Sequence, residues 1–426
     1  MHISEQKAKL QSGALDASLS YLYGEADTSR ERYIALCEEF EKTFGDSDGA
    51  ILLSAPGRTE LAGNHTDHQL GKVLCGAVTL DIAAVAASAE GGVIELLSDG
   101  FGMVRITLDS LEVHPEETGT TAALLRGVAA GFVRQGLRVG GFRACVHSQV
   151  PAGGGLSSSA AFEILIGAIF SALCNGGLQD AVTLAKIGQG AERDYFGKPS
   201  GLLDQTASAC GGIAKIDFID AQNPAVERIA FDFRKNGFVL CAVNTNTRHD
   251  DLTADYAAIP KDMTAVANAF GQSVLRFVRP EEFAAKRGEI AASLSPVAAD
   301  RAEHFFAEDE RVDRMAEALR SGDMAAYMEN MNASGHSSRY LLRNIVPTAH
   351  PERTEVAEAL DRAEALLAGK GAWRIHGGGF AGCIQCLVPE ADYEAFRARM
   401  DAFYGKGATF ELRIRPCGAY VLPSEG

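Results

Sequence analysis

No stretch of this 426-residue sequence is a long apolar run. A membrane-spanning helix needs roughly 20 consecutive apolar residues, and none occurs here. Near the N-terminus, Lys7 and Lys9 are not followed by the apolar core of a signal peptide. Basic residues are not in excess either, since 40 Lys and Arg stand against 56 Asp and Glu and give a formal net charge of −16. That balance disfavours binding to nucleic acid or to an anionic membrane, so we predict a soluble protein with neither partner.

The cysteines lack the spacing of a disulfide framework. They number nine and are scattered, at positions 37, 75, 145, 174, 210, 241, 383, 386 and 417. An odd, scattered set is typical of free thiols in a reducing cytosol, so we predict a cytoplasmic location. Cys383 and Cys386 form a CxxC inside the apolar run Cys-Ile-Gln-Cys-Leu-Val, which favours two buried strand residues over a redox or metal site.

Low-complexity linkers and internal repeats are also missing, and the remaining composition is that of a globular protein. Apolar residues make up 46 % and charged residues 23 % of the chain. The length suits two or three domains and a substantial core. Strand-like and helix-like patterns alternate in both halves, which predicts a mixed fold.

Hydrophobic periodicity predicts the individual elements. Pro56-Gly57 is expected to end the first strand, and Asp99-Gly100 is expected to turn a hairpin. Helices are predicted at 30–44, 121–135, from the loop near 157 to about 174, at 178–195, in several segments between 251 and 367, and at 391–403. Strands are predicted at 50–54, 73–87, 93–97, 103–108, 142–150, 238–243, 383–388 and 409–414.

The most informative segment is Pro151-Ala-Gly-Gly-Gly-Leu-Ser-Ser-Ser-Ala-Ala161. Its glycines allow a sharp turn and a close approach to a ligand, and its serines stand where an apolar helix would begin. Free backbone N–H groups at a helix N-terminus make an anion site. The segment is neither a Walker A motif nor a Rossmann fingerprint. Taken alone, it fits a phosphate loop and an ordinary turn with a serine N-cap equally well.

Three motifs in order resemble the galactokinase branch of the GHMP small-molecule kinases. They are the loop just described, Ala55-Pro-Gly-Arg-Thr-Glu-Leu-Ala-Gly-Asn-His-Thr-Asp67 and Gly377-Gly-Gly-Phe-Ala-Gly-Cys383, within a resemblance that covers about 30–420. The resemblance implies an α+β, two-domain GHMP kinase fold. An N-terminal domain like ribosomal protein S5, at 25–215, would carry the phosphate loop, and a ferredoxin-like domain would span 216–426. The active site would lie in the cleft between them.

The resemblance also implies the catalytic and metal-binding residues. Asp204 matches the catalytic base, and Arg58 matches the arginine near the reacting hydroxyl. Glu192 and Ser159 match the Mg²⁺ ligands, whereas Glu163 is interpreted as structural. The nucleotide phosphates would lie on the loop residues Gly153, Gly154, Gly155, Leu156, Ser157, Ser158 and Ser159. ATP and Mg²⁺ are the expected cofactors.

The sugar-binding residues follow from the same resemblance. They are Asn64, His65, Asp67, Gly201 and Tyr256, the last of which follows the segment 244–249. His65-x-x-His68 is not interpreted as a transition-metal site, since no third ligand is evident. The predicted activity is ATP-dependent phosphorylation of the C1 hydroxyl of galactose or a close analogue. The partners would be the sugar and the nucleotide, and the protein would be a monomer or a weak dimer.

Two departures from the family pattern keep alternatives open. Asn64 replaces a glutamate that is thought to bind the C6 hydroxyl, and His68-Gln69 replaces Tyr-Asn, which raises galacturonate as a substrate. Thr121-Ala-Ala-Leu124 replaces an aromatic Trp-x-x-Tyr, so nucleotide preference is less defined. A catalytically inactive sugar-sensing regulator is a further alternative, and so is another GHMP enzyme such as a mevalonate or homoserine kinase.

Overall fold

The computed structural model describes residues 1–151, 155–198, 200–247 and 251–423. Its α-helices are α1 Ile3–Gln11, α2 Asp16–Tyr23, α3 Asp27–Phe44, α4 Thr121–Arg134, α5 Ser158–Cys174, α6 Ala181–Gly190, α7 Leu203–Cys210, α8 Thr253–Ala269, α9 Pro280–Ser293, α10 Pro296–Ser321, α11 Met324–Ser337, α12 Glu355–Leu367 and α13 Tyr393–Tyr404. Within this part of the chain, no helix is both long enough and apolar enough to cross a membrane.

The strands form two sheets. They are β1 Ile51–Ala62, β2 Lys72–Ser88, β3 Val93–Ser98, β4 Gly102–Thr107, β5 Phe142–Ser148, β6 Ile213–Asp217, β7 Ala225–Ile229, β8 Phe238–Asn244, β9 Ala372–Ile375, β10 Cys383–Pro389, β11 Thr409–Glu411 and β12 Tyr420–Val421. The first sheet has the order β12-β1-β2-β5-β3-β4, and β6 and β7 extend it from β2. The second sheet has the order β11-β8-β10-β9.

The sheets do not divide the chain at a single point. Strand β6 spans residue 215 and pairs with β2, and β12 returns to β1 near the C-terminus. The boundary between 25–215 and 216–426 therefore stays a prediction.

The helices α4 and α5 pack their apolar faces on the first sheet. The interior of α5 is almost wholly apolar and buried, so the direction of this helix is fixed by the core. A second cluster holds α1 to α3 against the other face of β1 and β2, and a third lies between the second sheet and α12 and α13.

A buried arginine joins the two sheets. Arg374 on β9 is 0 % exposed, and its Nη2 donates to Glu60 Oε1 on β1 at 2.7 Å, while Nη1 donates to the Glu60 carbonyl at 2.9 Å. From β10, Gln385 Nε2 donates to the same carbonyl at 3.0 Å and to Thr59 Oγ1 at 2.6 Å. Strand β1 is therefore shared between the hydrogen bonds of the first sheet and these side chains of the second.

A second buried cluster surrounds Asp81 on β2. Arg32 Nη1 lies 2.5 Å from Oδ1, and Arg415 Nη1 lies 3.3 Å from Oδ2, with Asp81 0 % exposed. The Tyr23 hydroxyl donates to Oδ2 at 2.6 Å, and the hydroxyl of Ser54 donates to the same oxygen. Burial acts to raise the pKa of Asp81, but the two guanidinium groups and these hydrogen bonds outweigh it and hold the pKa below its usual range.

Most predicted elements are present, and one boundary was wrong. Pro56-Gly57 does not end the first strand, because β1 continues to Ala62 through an irregularity in its pairing with β2. A Cβ atom at Gly57 would lie only 3.1 Å from the Leu156 carbonyl oxygen and 3.2 Å from that of Leu80, so the glycine permits a close backbone crossing within the strand. The sequence pattern missed α1, α2, α7, β6, β7, β9 and β12. Cys383 and Cys386 are buried on β10 as expected, and all nine cysteines lie in the described residues as free thiols.

We predict that Asp81→Asn lowers the free energy of unfolding by about 3 kcal/mol or more, because two buried guanidinium groups lose their anion. Because the folded pKa of Asp81 lies below the unfolded value near 4, its contribution is present above about pH 4 and is lost as pH falls below that value. Urea unfolding at pH 7 and pH 3.5 measures both effects. The difference between wild type and variant should shrink at the lower pH.

Asp99→Asn, at a carboxylate 68 % exposed, is the control and should change little. An unchanged stability in Asp81→Asn would contradict the assignment.

Candidate active site

The glycine–serine loop leads into the N-terminus of α5. Ser157 occupies the N-cap position in a left-handed conformation, with φ 55°, and its side chain makes no capping hydrogen bond. The first helical hydrogen bond runs from Ala161 N to the Ser157 carbonyl, so the amides of Ser158 and Ser159 begin the helix without a partner in it. Such amides suit an anion. Of the predicted phosphate residues, Gly155 to Ser159 lie at or just before the start of α5, whereas Gly153 and Gly154 lie outside the described residues.

The loop contacts the predicted catalytic pair directly. Arg58 Nε donates to Asp204 Oδ1 at 2.7 Å, and its Nη1 donates to the Gly155 carbonyl. The hydroxyl of Ser157 donates to Asp204 Oδ2. The backbone of Arg58 also donates to the Leu156 carbonyl at 3.1 Å. The structure therefore brings together Arg58 and Asp204, which lie 146 positions apart in the sequence.

Asp204 is held in its ionised form. It lies in the first turn of α7, where the helix dipole favours a negative charge, and its side chain is 21 % exposed. Burial acts to raise the pKa of Asp204, but the charges of Arg58 and Lys198 and the hydrogen bonds from Arg58 and Ser157 outweigh it, and the net pKa is lowered. A carboxylate of this kind can accept a proton from a hydroxyl group placed beside it.

A second carboxylate lies on the other side of the loop. Glu192 is in a π-helical turn, Ala191–Phe196, and Ser159 Oγ donates to its Oε1 at 2.7 Å. Lys198 Nζ lies 2.9 Å from the same oxygen, and Gln205 Nε2 donates to Oε2 at 2.8 Å. Gln205 also bonds Glu163, whose pKa is raised well above its usual value, chiefly by burial and then by the Glu192 charge.

Ser159 and Glu192 form a pair of hard oxygen donors. In the described residues, no group of three or more His, Cys, Asp or Glu side chains could hold a metal ion. A cation at Ser159 and Glu192 would thus take its remaining ligands from phosphates and water, which is the usual coordination of Mg²⁺. The donor set fits that ion.

The predicted sugar residue Asp67 lies against Gly201. A Cβ atom at Gly201 would overlap Oδ2 of Asp67, so a glycine is required wherever this carboxylate keeps its place. Asp67 Oδ1 accepts from the amide of His68 at 3.0 Å, and its side chain is 11 % exposed. One carboxylate oxygen is therefore directed at the segment that leads into α7 and Asp204.

The glycine turn at 377–379 binds the remaining predicted sugar residues. Its successive carbonyls accept from Asn64 Nδ2 at 2.6 Å, from His65 Nε2 at 2.9 Å and from the Tyr256 hydroxyl at 2.6 Å. Burial lowers the pKa of His65 to about 3, so its ring is neutral and Nε2 carries the proton that the Gly378 carbonyl accepts. Burial also raises the pKa of Tyr256. The turn therefore contacts both the segment 55–67, called the sugar motif below, and α8.

Asn64, a predicted sugar-binding residue, has protein partners on every polar atom of its side chain. It is 0 % exposed, and its Nδ2 also donates to Glu60 Oε1 at 3.0 Å. Its Oδ1 accepts from Asn344 Nδ2 at 2.8 Å and more weakly from the Ser338 hydroxyl at 3.4 Å. Both amide protons and the amide oxygen are therefore engaged within the protein. This geometry does not favour a direct contact between Asn64 and a sugar hydroxyl, and that contact stays a prediction.

Sequence reasoning missed three residues of the site. Lys198 and Gln205 contact Glu192, and both stood beside predicted residues without being assigned a role. His376 is buried with its Nε2 2.9 Å from Thr59 Oγ1, and its ring lies where a Cβ atom on Gly155 would be placed. Burial and then Arg58 and Arg374 hold the pKa of His376 well below its usual value. The signal for His376 was its position immediately before the glycine motif.

Comparisons with known proteins identify the family of this chain. The family model of the galactokinase galactose-binding signature matches residues 38–88, and that of the GHMP kinases N terminal domain matches 123–212. Human galactokinase is 31 % identical over 402 residues, which cover 91 % of this chain and 97 % of that protein. The chain belongs to the galactokinase family. The galactokinase of Glaesserella parasuis serovar 5 (strain SH0165) is 29 % identical, with 89 % of this chain and 96 % of that protein covered.

Two solved kinase structures have the same fold. Lactococcus lactis galactokinase, solved with galactose, superposes with a TM-score of 0.77 at 23 % identity and covers 90 % of this chain and 98 % of its own. Methanococcus jannaschii mevalonate kinase superposes with a TM-score of 0.62 at 17 % identity, with coverages of 86 % and 99 %. The predictions of a GHMP kinase fold and of a galactokinase-family sugar kinase are confirmed.

We predict that Gly201→Ala raises the KM for sugar roughly tenfold or more, since displacing one charged hydrogen-bonding group costs about 1.5–3 kcal/mol. The added Cβ atom would push Asp67 from its place, while the thermal unfolding temperature should change little. Steady-state kinetics with a fixed nucleotide concentration measures the effect. Gly288→Ala on α9 is the matched control, because in the described residues no heavy atom beyond the immediate backbone lies within 4 Å of the added carbon. Equal KM values in the two variants would exclude this role for Asp67.

Proposed function

We propose that the protein is an ATP-dependent galactokinase that phosphorylates the C1 hydroxyl of galactose. The observation that carries this proposal is the contact between the phosphate loop and an ionised base, because Asp204 is bound by Ser157 of the loop and by Arg58 of the sugar motif. The identity to human galactokinase and the galactose named with the Lactococcus lactis structure support this sugar.

The transfer is a direct displacement. The C1 oxygen of the sugar forms a bond to the γ-phosphorus of ATP, and the bond from that phosphorus to the β–γ bridging oxygen breaks, so ADP leaves with the electron pair. The hydroxyl proton passes to Asp204, whose oxygens each keep a lone pair beyond the bonds from Arg58 and Ser157. The guanidinium of Arg58 stabilises the charge that develops, since it is fixed by Asp204 and by the Gly155 carbonyl.

The remaining residues position the substrates. The amides at the start of α5 would bind phosphate oxygens, and Asp67 and Gly201 would bind the sugar, with His65 and Tyr256 shaping its pocket through the glycine turn. Ser159 and Glu192 would hold Mg²⁺, which when bound neutralises part of the phosphate charge. A cytosolic location accords with the nine free thiols.

The alternatives are not favoured. The galacturonate hypothesis rested on an uncharged Asn64 facing C6, whereas this amide is buried and occupied by Glu60, Gly377 and Asn344. A regulator without activity has no need of the complete set formed by Arg58, Ser159, Glu192 and Asp204, which the structure brings together. The curated relatives compared above are both galactokinases.

We predict that Asp204→Asn lowers kcat by at least about a hundredfold, the lower range for loss of a general base. Sugar binding should persist, because Asp67 and Gly201 are unchanged. A coupled assay of ADP release measures kcat, and isothermal titration measures galactose binding. Asp194→Asn, an exposed carboxylate in the same π-helical turn as Glu192, is the control and should retain normal turnover. Near-normal turnover in Asp204→Asn would refute the base assignment.

A sugar panel tests the substrate. With ATP and Mg²⁺, we expect galactose to be turned over with a kcat/KM at least about tenfold above those of galacturonate, N-acetylgalactosamine and arabinose, the scale of losing one well-paired hydrogen-bonding group. The product should carry phosphate at C1, which ³¹P and ¹H NMR identify. Efficient turnover of galacturonate with none of galactose would restore the acid-sugar alternative, and no ADP release with any sugar would favour the regulator.

A further inference from the structure

Lys198 is a cation of the active site to which neither the sequence motifs nor the mechanism above gives a role. Its backbone is fixed, because Gly197 ends the π-helical turn in a left-handed conformation and Lys198 N donates to the Glu192 carbonyl at 3.0 Å. Ser200 N donates in turn to the Lys198 carbonyl at 2.8 Å. The side chain, by contrast, is 53 % exposed. A fixed origin with a free stem allows the ammonium group to change partners within a short radius.

The present partner of that ammonium group is the predicted metal ligand. Nζ lies 2.9 Å from Glu192 Oε1, the same oxygen that accepts from Ser159 Oγ at 2.7 Å. The other carboxylate oxygen is held by Gln205. Because the Glu192 side chain is only 1 % exposed, Lys198 lies between this carboxylate and solvent. A cation that binds Ser159 and Glu192 therefore competes with Lys198 for Oε1.

The two cations of the site differ in their freedom. Arg58 is 7 % exposed and is bound at both ends of its guanidinium group by Asp204 and the Gly155 carbonyl. Lys198 has one exposed bond to Glu192 and lies close enough to Asp204 for its charge to act on that residue. An ammonium group released from Glu192 would stand beside the first turn of α5, where Ser159 lies and where phosphate would bind. Its strongest available partner there is a phosphate oxygen.

We propose that Lys198 is a further nucleotide-binding residue, which neutralises Glu192 in the empty site and pairs with the nucleotide phosphates once a divalent cation occupies Glu192. This inference rests on the proposed phosphate site. It gives Lys198 two opposite effects, since it opposes binding of the free cation and favours binding of the nucleotide. A residue with only a structural role would not produce that pair of signs.

The test uses Lys198→Met, Lys198→Arg and, as a matched control, Lys186→Met, whose lysine lies on α6 and bonds the Gln222 carbonyl. Electron paramagnetic resonance measures Mn²⁺ binding to each protein without nucleotide. Isothermal titration measures binding of a non-hydrolysable ATP analogue with Mg²⁺.

In Lys198→Met, we expect Mn²⁺ to bind about two- to fivefold more tightly, the scale of an exposed ion pair. We expect the analogue to bind roughly tenfold more weakly, the scale of a charged hydrogen bond. Lys198→Arg should restore most of the analogue's affinity, and Lys186→Met should match the wild type.

Each remaining outcome is decisive. Unchanged affinities for both ligands in Lys198→Met would overturn the proposal, as would a loss of both affinities, which would indicate a structural role. These results would leave the galactokinase proposal intact, provided that the wild type still phosphorylates galactose. If instead the wild type binds the analogue but phosphorylates no sugar, the proposed function fails, while the two binding measurements still decide the role of Lys198.

Discussion

The arrangement of the active site depends on a fully buried ion pair between the two sheets. Arg374 comes from the second sheet, and it binds both the side chain and the backbone carbonyl of Glu60 on the first. Glu60 also accepts from Asn64, which binds the glycine turn that begins two residues after Ile375. One continuous polar network therefore holds the sugar motif, which carries Arg58, and the glycine turn at 377–379. Because the network is buried, each unpaired member would carry a large desolvation cost, which limits how far the two sheets can shift.

Strained backbone marks the three segments that meet at the site. His65, Ser157 and Phe380 each adopt a left-handed conformation with φ of 60°, 55° and 61°, although none is a glycine. Such conformations cost of order 1–3 kcal/mol each and persist where the surroundings determine them. The reason is visible for two of them. His65 is held by the Gly378 carbonyl, and the backbone of Phe380 donates to the Asn344 carbonyl at 2.6 Å.

The sequence motifs indicated which residues lie together in the candidate site, but they did not indicate all of the contacts that those residues make. Arg58, Asp204, Ser159 and Glu192 were predicted from local motifs whose roles restrict the residue type, and the structure places Arg58 beside Asp204 and Ser159 beside Glu192. The elements α5 and β2 could be located because each is a run of largely apolar residues that is buried along most of its length. The protein contacts of Asn64 could not be predicted, since its partners Glu60, Gly377 and Asn344 are brought in by pairing between sheets that no local pattern encodes. The short strands β6, β7 and β9 were missed for the same reason, because their identity depends on the neighbours that they find.

The cluster around Asp81 has a consequence for synthesis. Its first arginine, Arg32, is made before Asp81, but its second, Arg415, follows 334 residues after Asp81. The edge strand β12, which pairs with β1, follows later still. During translation, the strands β1 to β7 of the first sheet are therefore available before Arg415 and the edge strand β12. An exposed edge and an incompletely neutralised buried carboxylate both disfavour early completion. The first sheet can reach its final hydrogen-bonded form only after Arg415 and β12 have left the ribosome.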